Sequence, residues 1–185
     1  MKRVFLAVSL RQNDFFEQYI NDIQTKLLQE KINWVESKNI HLTLKFFGPL
    51  EDIQIENIKK ALETTLRNQE KLQISFNKLG LFGSKYQPRV LWMGIKDPKA
   101  IISLEQQIRK ALIEIGIPYD RQNFVPHLTI GRIKQLKSKK YFQSIVNQYR
   151  DFDSGAVNIN SIYLYQSILR PQRPIYKVLA EFKLK

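Results

Sequence analysis

The sequence contains two histidines, His41 and His127, and each is followed at the second position by a threonine, Thr43 and Thr129. Threonine occurs at only five positions, so random placement would produce both pairs in roughly one case in 1400. Side chains two apart on a β-strand share a face about 7 Å apart, and their neighbours point to the other face. His41 and Thr43 therefore sit together over Leu42 and Leu44, and His127 and Thr129 repeat this over Leu128 and Ile130. Two such strands meeting at a groove would hold two imidazoles and two hydroxyls on a rigid apolar backing. Their chemistry suits in-line displacement at phosphorus, in which a base activates water on one side and an acid protonates the departing oxygen on the other. With an unperturbed pKa of about 6.5, imidazole can serve as either near neutral pH. The threonine hydroxyls can hydrogen-bond non-bridging oxygens, and a cation can balance the charge that develops on them. Arg132, five residues after His127 and near the end of its strand, is the candidate cation.

Competing chemistries are less well served. Two histidines without a carboxylate or thiol at ligand spacing make a poor zinc set, since catalytic zinc takes three protein ligands. No metal or cofactor is expected. The chain has no cysteine, which removes thiolate catalysis, disulfides and cysteine-bound zinc. Glycine-rich phosphate loops, a Gly-x-Ser-x-Gly elbow and a His-Glu-x-x-His helix are all missing from the sequence. Thr129 as a nucleophile with His127 as its base is conceivable, but a second identical pair argues for matched acid and base.

The elements that must position these residues are legible from their periodicity. A strand from Val4 to Val8 precedes a helix marked by Phe16, Ile20, Ile23 and Leu27, with Asn13 placed to cap it. A second helix runs from Glu51 to about Leu66 through Ile55, Ile58 and Leu62. In the third, Asp97 caps, Pro98 occupies the first turn, Ile101, Leu104, Ile108, Leu112 and Ile115 form a buried stripe, and Gly116 ends it. Further strands are expected at His41 to Phe47, Leu72 to Phe82 with irregularity, Val90 to Ile95, His127 to Ile133, Val157 to Tyr165, and Tyr176 to Leu184. The last alternates, with Tyr176, Val178, Ala180, Phe182 and Leu184 assigned to one face.

An offset of 86 residues (127 minus 41) aligns more than the histidines. Arg3-Val4 falls on Arg89-Val90, the first helix on the third, the helix after Glu51 on Lys137 to Gln148, and Leu72 onward on Asn158 onward. The order strand, helix, His-x-Thr strand, helix, strand thus occurs twice. Two lobes related by an approximate twofold would bring one His-x-Thr strand from each to a shared groove.

At 185 residues and 43% hydrophobic composition, the chain is sized for a single domain, or two small lobes on one core. The formal charge of +13 favours a polyanionic partner, nucleic acid above all. Between residues 121 and 150 lie seven basic residues (Arg121, Arg132, Lys134, Lys137, Lys139, Lys140, Arg150) and no acidic ones, and His127 lies within that window. No segment is apolar enough to cross a membrane, and the apolar start meets Arg11-Gln12-Asn13-Asp14 too early for a signal peptide. A cytoplasmic, monomeric protein is expected.

With those residues in place, the sequence resembles the LigT-like RNA 2′,3′-cyclic phosphodiesterases of the two-histidine phosphoesterase superfamily, historically called 2′-5′ RNA ligases. The similarity runs through nearly the whole chain. It is carried by 3–8 (Arg-Val-Phe-Leu-Ala-Val), 39–48 (Asn-Ile-His-Leu-Thr-Leu-Lys-Phe-Phe-Gly), 89–92 (Arg-Val-Leu-Trp), 124–132 (Phe-Val-Pro-His-Leu-Thr-Ile-Gly-Arg), and Tyr165-Gln166-Ser167 before Tyr176. The resemblance implies one α+β, bilobal domain over residues 1–185, in which two pseudo-symmetric lobes of antiparallel sheet with outer helices surround a central cleft, one lobe holding both termini. It implies metal-independent hydrolysis of an RNA 2′,3′-cyclic phosphodiester to a 2′-phosphomonoester. It also implies that His41 is the proton donor and His127 the acceptor that activates water, an order the residues alone leave open. Gly131 departs from the family's frequent alanine, which is expected to loosen the strand end without touching the chemistry.

For substrate binding the candidates are Arg132, Lys45, reaching a flanking phosphate, and Phe46, stacking a base. Phe47, Trp34, Tyr86 and Trp92 are further stacking candidates, although Trp92 and Phe47 read better as core. The cluster from Lys134 to Lys140 could steer RNA ends. The same site on another substrate would give a 2′-5′ oligonucleotide or small cyclic-nucleotide phosphodiesterase, and a site without turnover an RNA-binding module. Binding alone, however, has no need of a symmetric acid and base.

Overall fold

A computed structural model describes residues 1–10, 14–84, 86–118, 123–171 and 173–185, the side chains of 14–16 excepted. Asn13 and Arg121 lie outside the described residues. The first half of the chain runs through β1 (Lys2–Ser9), α1 (Asp14–Lys26), β2 (Lys31–Trp34), a 3₁₀ turn (Ser37–Asn39), β3 (His41–Leu50), α2 (Asp52–Leu66), β4 (Leu72–Ile74) and β5 (Phe76–Gly83). The second half follows with β6 (Pro88–Ile95), α3 (Lys99–Glu114), β7 (His127–Gln135), α4 (Lys139–Gln148), β8 (Val157–Ile159), β9 (Ser161–Ile168) and β10 (Ile175–Lys183). The α+β class and the order of elements agree with the sequence reading, and β2 is an addition to it.

The duplication is present in three dimensions. Shifting β1 by the offset lands on β6, β3 on β7, and β5 on β9. The strand order β10-β9-β1-β3-β7-β6-β5 is antiparallel throughout, with β2 pairing the later stretch of β7, from Gly131 to Gln135. It reads outward from its centre as β3-β1-β9 in one direction and β7-β6-β5 in the other. Among the described residues one pair, Leu42 opposite Leu128, joins β3 to β7 at the centre of this order. Both chain ends belong to the β1 half. A small second sheet, β4 with β8, pairs the strands that the offset also relates. This pair explains the irregularity expected near Leu72 and the break inside Val157 to Tyr165.

The helices cover one face of the sheet. Ile20, Ile23 and Leu27 of α1, Ile58 and Leu62 of α2, Leu104, Ile108 and Leu112 of α3, and Phe142 and Ile145 of α4 share one core with strand residues of both halves. Leu42 and Leu128 are fully buried there, each contributing about 1.5–3 kcal/mol by leaving water. They fix the centre of the sheet from behind.

The helix ends follow local chemistry. In α2 the Glu51 N–H donates to Gln54 Oε1 at 2.9 Å, tying the first turn. In α3 Asp97 accepts from the Lys99 N–H at 3.2 Å, with Pro98 just outside the helix. Gly116 closes it at φ 78°, where the Ile117 N–H reaches the Leu112 carbonyl at 2.9 Å. Ile115 does not continue the buried stripe. It is 39% exposed because the chain has already left the helix there. A second correction concerns β10, where a register shift between Val178 and Ala180 breaks the alternation. Tyr176 packs toward Phe5 and Tyr165, whereas Phe182 and Leu184 enter the helix-covered core.

Candidate active site

Both His-x-Thr strands carry the same bulge. On β3 the partners of Thr43 and Lys45 are consecutive residues of β1, Ala7 and Leu6, so Leu44 is extra. On β7 the partners of Thr129 and Gly131 are Trp92 and Leu91, so Ile130 is extra. An extra residue reverses which side chains face which way beyond it. The face that begins with His41 and Thr43 therefore continues with Phe46, and the face that begins with His127 and Thr129 continues with Arg132. Phe46 is 62% exposed, and Phe46 and Arg132 both line the cleft. Strict alternation would have carried Lys45 there instead. The bulge turns Lys45 toward the helices, where it is 6% exposed and feels the charge of Glu105 on α3, so the assignment of Lys45 to a substrate phosphate is corrected.

The cleft has a volume of about 1130 Å³ and is lined by His41, Thr43, His127 and Thr129 together. Because Leu42 opposes Leu128 across antiparallel strands, His41 comes beside Thr129 and Thr43 beside His127. Each imidazole is held in the same way. His41 Nδ1 lies 2.6 Å from the Asn39 carbonyl oxygen and His127 Nδ1 2.7 Å from that of Val125. A carbonyl oxygen only accepts, so Nδ1 carries the hydrogen in both rings and Nε2 is the nitrogen not engaged by the backbone. The residues between are matched as well: Ile40 adopts φ −69°, the value that its counterpart Pro126 has fixed by its ring.

The surroundings of the two rings differ. His41 packs 5.0 Å from the Phe5 ring and 5.3 Å, edge-on, from Tyr176. Burial pushes its pKa below the ordinary imidazole value, the Asn39 carbonyl opposes this, and the charges of Arg132 and His127 lower it further. Burial raises the Tyr176 hydroxyl, with Arg132 acting against it. His127 instead meets Phe82 edge-on at 4.7 Å and Trp92 at 6.1 Å. Trp92 is thus not a core residue as expected but a backing for His127. Its indole lies over Gly80, where an added Cβ would meet the ring at 2.1 Å.

Other candidates are distributed unevenly. Trp34 lines the cleft, Phe47 packs against the core, and Tyr86, 78% exposed, lies off the cleft. Lys134, Lys137, Lys139 and Lys140 are exposed but do not line it. At that end Glu30, 7% exposed, accepts the backbone N–H of Lys137 at 2.6 Å and of Ser138 at 3.2 Å, which fixes the start of α4. Gly131 does not loosen its strand. Ile32 and Trp34 of β2 fill the space, and a Cβ there would meet Ile32 Cγ2 at 2.7 Å. Sequence reasoning missed Phe5, Tyr176 and Phe82 as the rings that seat the histidines, and Glu36, which lines the cleft and is bonded by Arg173 from across it. No single-residue signal marks these contacts, because each forms between strands distant in the chain.

Residues 4–184 match the model of the AKAP7 2′5′ RNA ligase-like domain. The chain is 29% identical to the RNA 2′,3′-cyclic phosphodiesterase of Methanothermobacter thermautotrophicus, covering 98% of each. It is 32% identical to that of Methanocaldococcus jannaschii, covering 97% of this chain and 99% of the other. Its fold is similar to the crystal structure of Escherichia coli LigT complexed with 3′-AMP, with a TM-score of 0.77, 22% identity, and 99% and 98% of the two chains covered.

Proposed function

The chain belongs to the AKAP7 2′5′ RNA ligase-like family, the LigT-like phosphoesterases, and from that premise we propose that it hydrolyses RNA 2′,3′-cyclic phosphodiesters to 2′-phosphomonoesters through its paired histidines. The activity is that of a cyclic phosphodiesterase, the name carried by its relatives. The observation that carries the mechanism is the matched pair of imidazoles, each fixed through Nδ1 and each offering Nε2 to one cleft.

The cyclic phosphate lies between the rings with its non-bridging oxygens on Thr43 and Thr129. Neutral His127 takes a proton from water through Nε2 as the water oxygen attacks phosphorus. His41, protonated, gives its Nε2 proton to the departing sugar O3′ on the far side. Thr43, Thr129 and Arg132 stabilise the charge that grows on the phosphoryl oxygens. The depressed pKa of His41 disfavours the protonated form that a donor needs. The bound phosphate anion offsets the depression by stabilising the imidazolium. Phe46, across from Arg132, is placed to stack the terminal base.

We read the reaction as independent of metal. Among the described residues no group of three His, Cys, Asp or Glu side chains is gathered as a metal site requires. All the groups of the mechanism come from one chain, so the proposed reaction needs no residue from a second subunit. The test is incubation of the purified protein with EDTA and an RNA ending in a 2′,3′-cyclic phosphate. A 2′-phosphate product is expected; a 3′-phosphate would reverse the leaving group, and no turnover until metal is added would overturn the mechanism.

A further inference from the structure

Apart from Arg132, the cleft is lined by two further arginines, Arg3 and Arg173. The charge of Arg173 is answered by Glu36, which Lys38 also approaches at 3.2 Å. Arg132 acts electrostatically on His41 and Tyr176, close to the reacting centre. Arg3 is different. It is exposed, it lines the cleft, and among the described residues it has no hydrogen-bond or ion-pair partner.

Its place in the sheet gives it a direction. The β1–β9 register pairs Val4 with Gln166, so Arg3 comes level with Ser167, and Ser167 is paired with Tyr176 on β10. Tyr176 touches the His41 ring. Arg3 and the Ser167 hydroxyl thus form a donor pair on the His41 side of the cleft, in the same cross-strand row as the Tyr176 ring. The other half has no equivalent. The offset places Leu81 opposite Ser167, no strand beyond β5 among the described residues answers to β10 and its Tyr176, and Arg89, the counterpart of Arg3, does not line the cleft.

The proposed mechanism puts water on the His127 side and the departing sugar oxygen on the His41 side, so the ribose and the chain leading 5′ from it leave past His41. We propose that Arg3, with Ser167, binds the phosphate on the 5′ carbon of the terminal nucleotide, the link to the preceding residue in an RNA chain. A guanidinium offers a phosphate monoanion two parallel N–H donors, and a serine hydroxyl adds a third. This site selects RNA ends over free nucleoside cyclic phosphates. The inference rests on the donor assignment of His41.

The smallest probe is a pair of substrates, a nucleoside 2′,3′-cyclic phosphate with a 5′-hydroxyl and the same compound with a 5′-phosphate, compared by kcat/KM. The wild-type protein should prefer the 5′-phosphorylated compound by about tenfold, the scale of one exposed charge-assisted contact. Arg3→Gln should erase that preference through KM, Arg3→Lys should keep part of it, and Ser167→Ala should reduce it. A structural role for Arg3 would lower turnover of both compounds together and leave the ratio unchanged. Equal use of the two compounds by the wild type, or an unchanged ratio in Arg3→Gln, overturns the inference while leaving the phosphodiesterase reading intact. If the wild type opens neither compound nor a cyclic-ended RNA, that reading fails and the inference falls with it.

Discussion

Around His41 the cleft wall is made by Phe5 and Tyr176, and burial depresses the pKa of the imidazole. Around His127 it is made by Phe82 and by Trp92 seated over Gly80. Behind both rings the backbone is the same: a carbonyl two residues back on Nδ1, a threonine two residues on, and a bulge after it. The bulge then delivers different side chains to the cleft, Phe46 from one strand and Arg132 from the other. Repetition of the strand supplies two imidazoles held alike on a rigid frame. Divergence of the walls sets one imidazole beside the exposed ring of Phe46 and the other beside the cation Arg132, the asymmetry on which the proposed donor and acceptor roles rest.

The largest test of this division is removal of each ring. His41→Ala and His127→Ala should each lower kcat by about 10²–10⁴-fold, the usual contribution of a positioned acid or base, measured on a cyclic-ended RNA. The double variant should be little worse than either single one, because the groups act in one step. Next in size, Thr43→Val and Thr129→Val should each cost about 10²-fold in kcat with folding retained, as read by circular dichroism. A much larger loss for Thr129→Val than for Thr43→Val would revive Thr129 as a nucleophile.

Arg132→Gln should cost about tenfold in kcat/KM and also move a pH limb. Arg132 lowers the pKa of His41, so its removal lets the imidazole keep its proton to higher pH. If His41 is the donor, activity falls as that proton is lost, and the alkaline limb of kcat/KM should shift upward. A shift of the acid limb would exchange the roles of the two rings. Smallest in effect, Gly80→Ala drives a methyl into the Trp92 indole. Overpacking of this kind costs about 1–3 kcal/mol, visible as a lower Tm. The displaced indole should reduce kcat a few-fold through His127, leaving the pH limb of His41 in place.

Much of this comparison was legible in the sequence, and its limits are physical. His41, Thr43, His127 and Thr129 were readable because period-two alternation and the 86-residue offset are local properties of the chain. Arg132 and Phe46 were placed in the cleft, as expected, but for a reason the sequence does not display. Leu44 and Ile130 each add a residue against a partner strand, and a bulge depends on pairing between distant segments. The same ignorance sent Lys45 to the wrong face. Val178 failed alike, since the irregularity in β10 exists only against β9. Ile115 was misjudged because three-four periodicity continues one residue past the point where Gly116 turns the chain. Phe5, Tyr176 and Phe82 were legible only as strand residues, their place beside the histidines being set by which strands become neighbours.

The division of roles is tested most directly by a substrate that needs no acid. Replacing the 3′ bridging oxygen of the cyclic phosphate by sulfur creates a leaving group that departs without a proton. On that substrate His41→Ala should recover most of its lost rate and His127→Ala should recover none. Recovery by His127→Ala instead, or equal failure of both, would contradict the assignment of donor and acceptor.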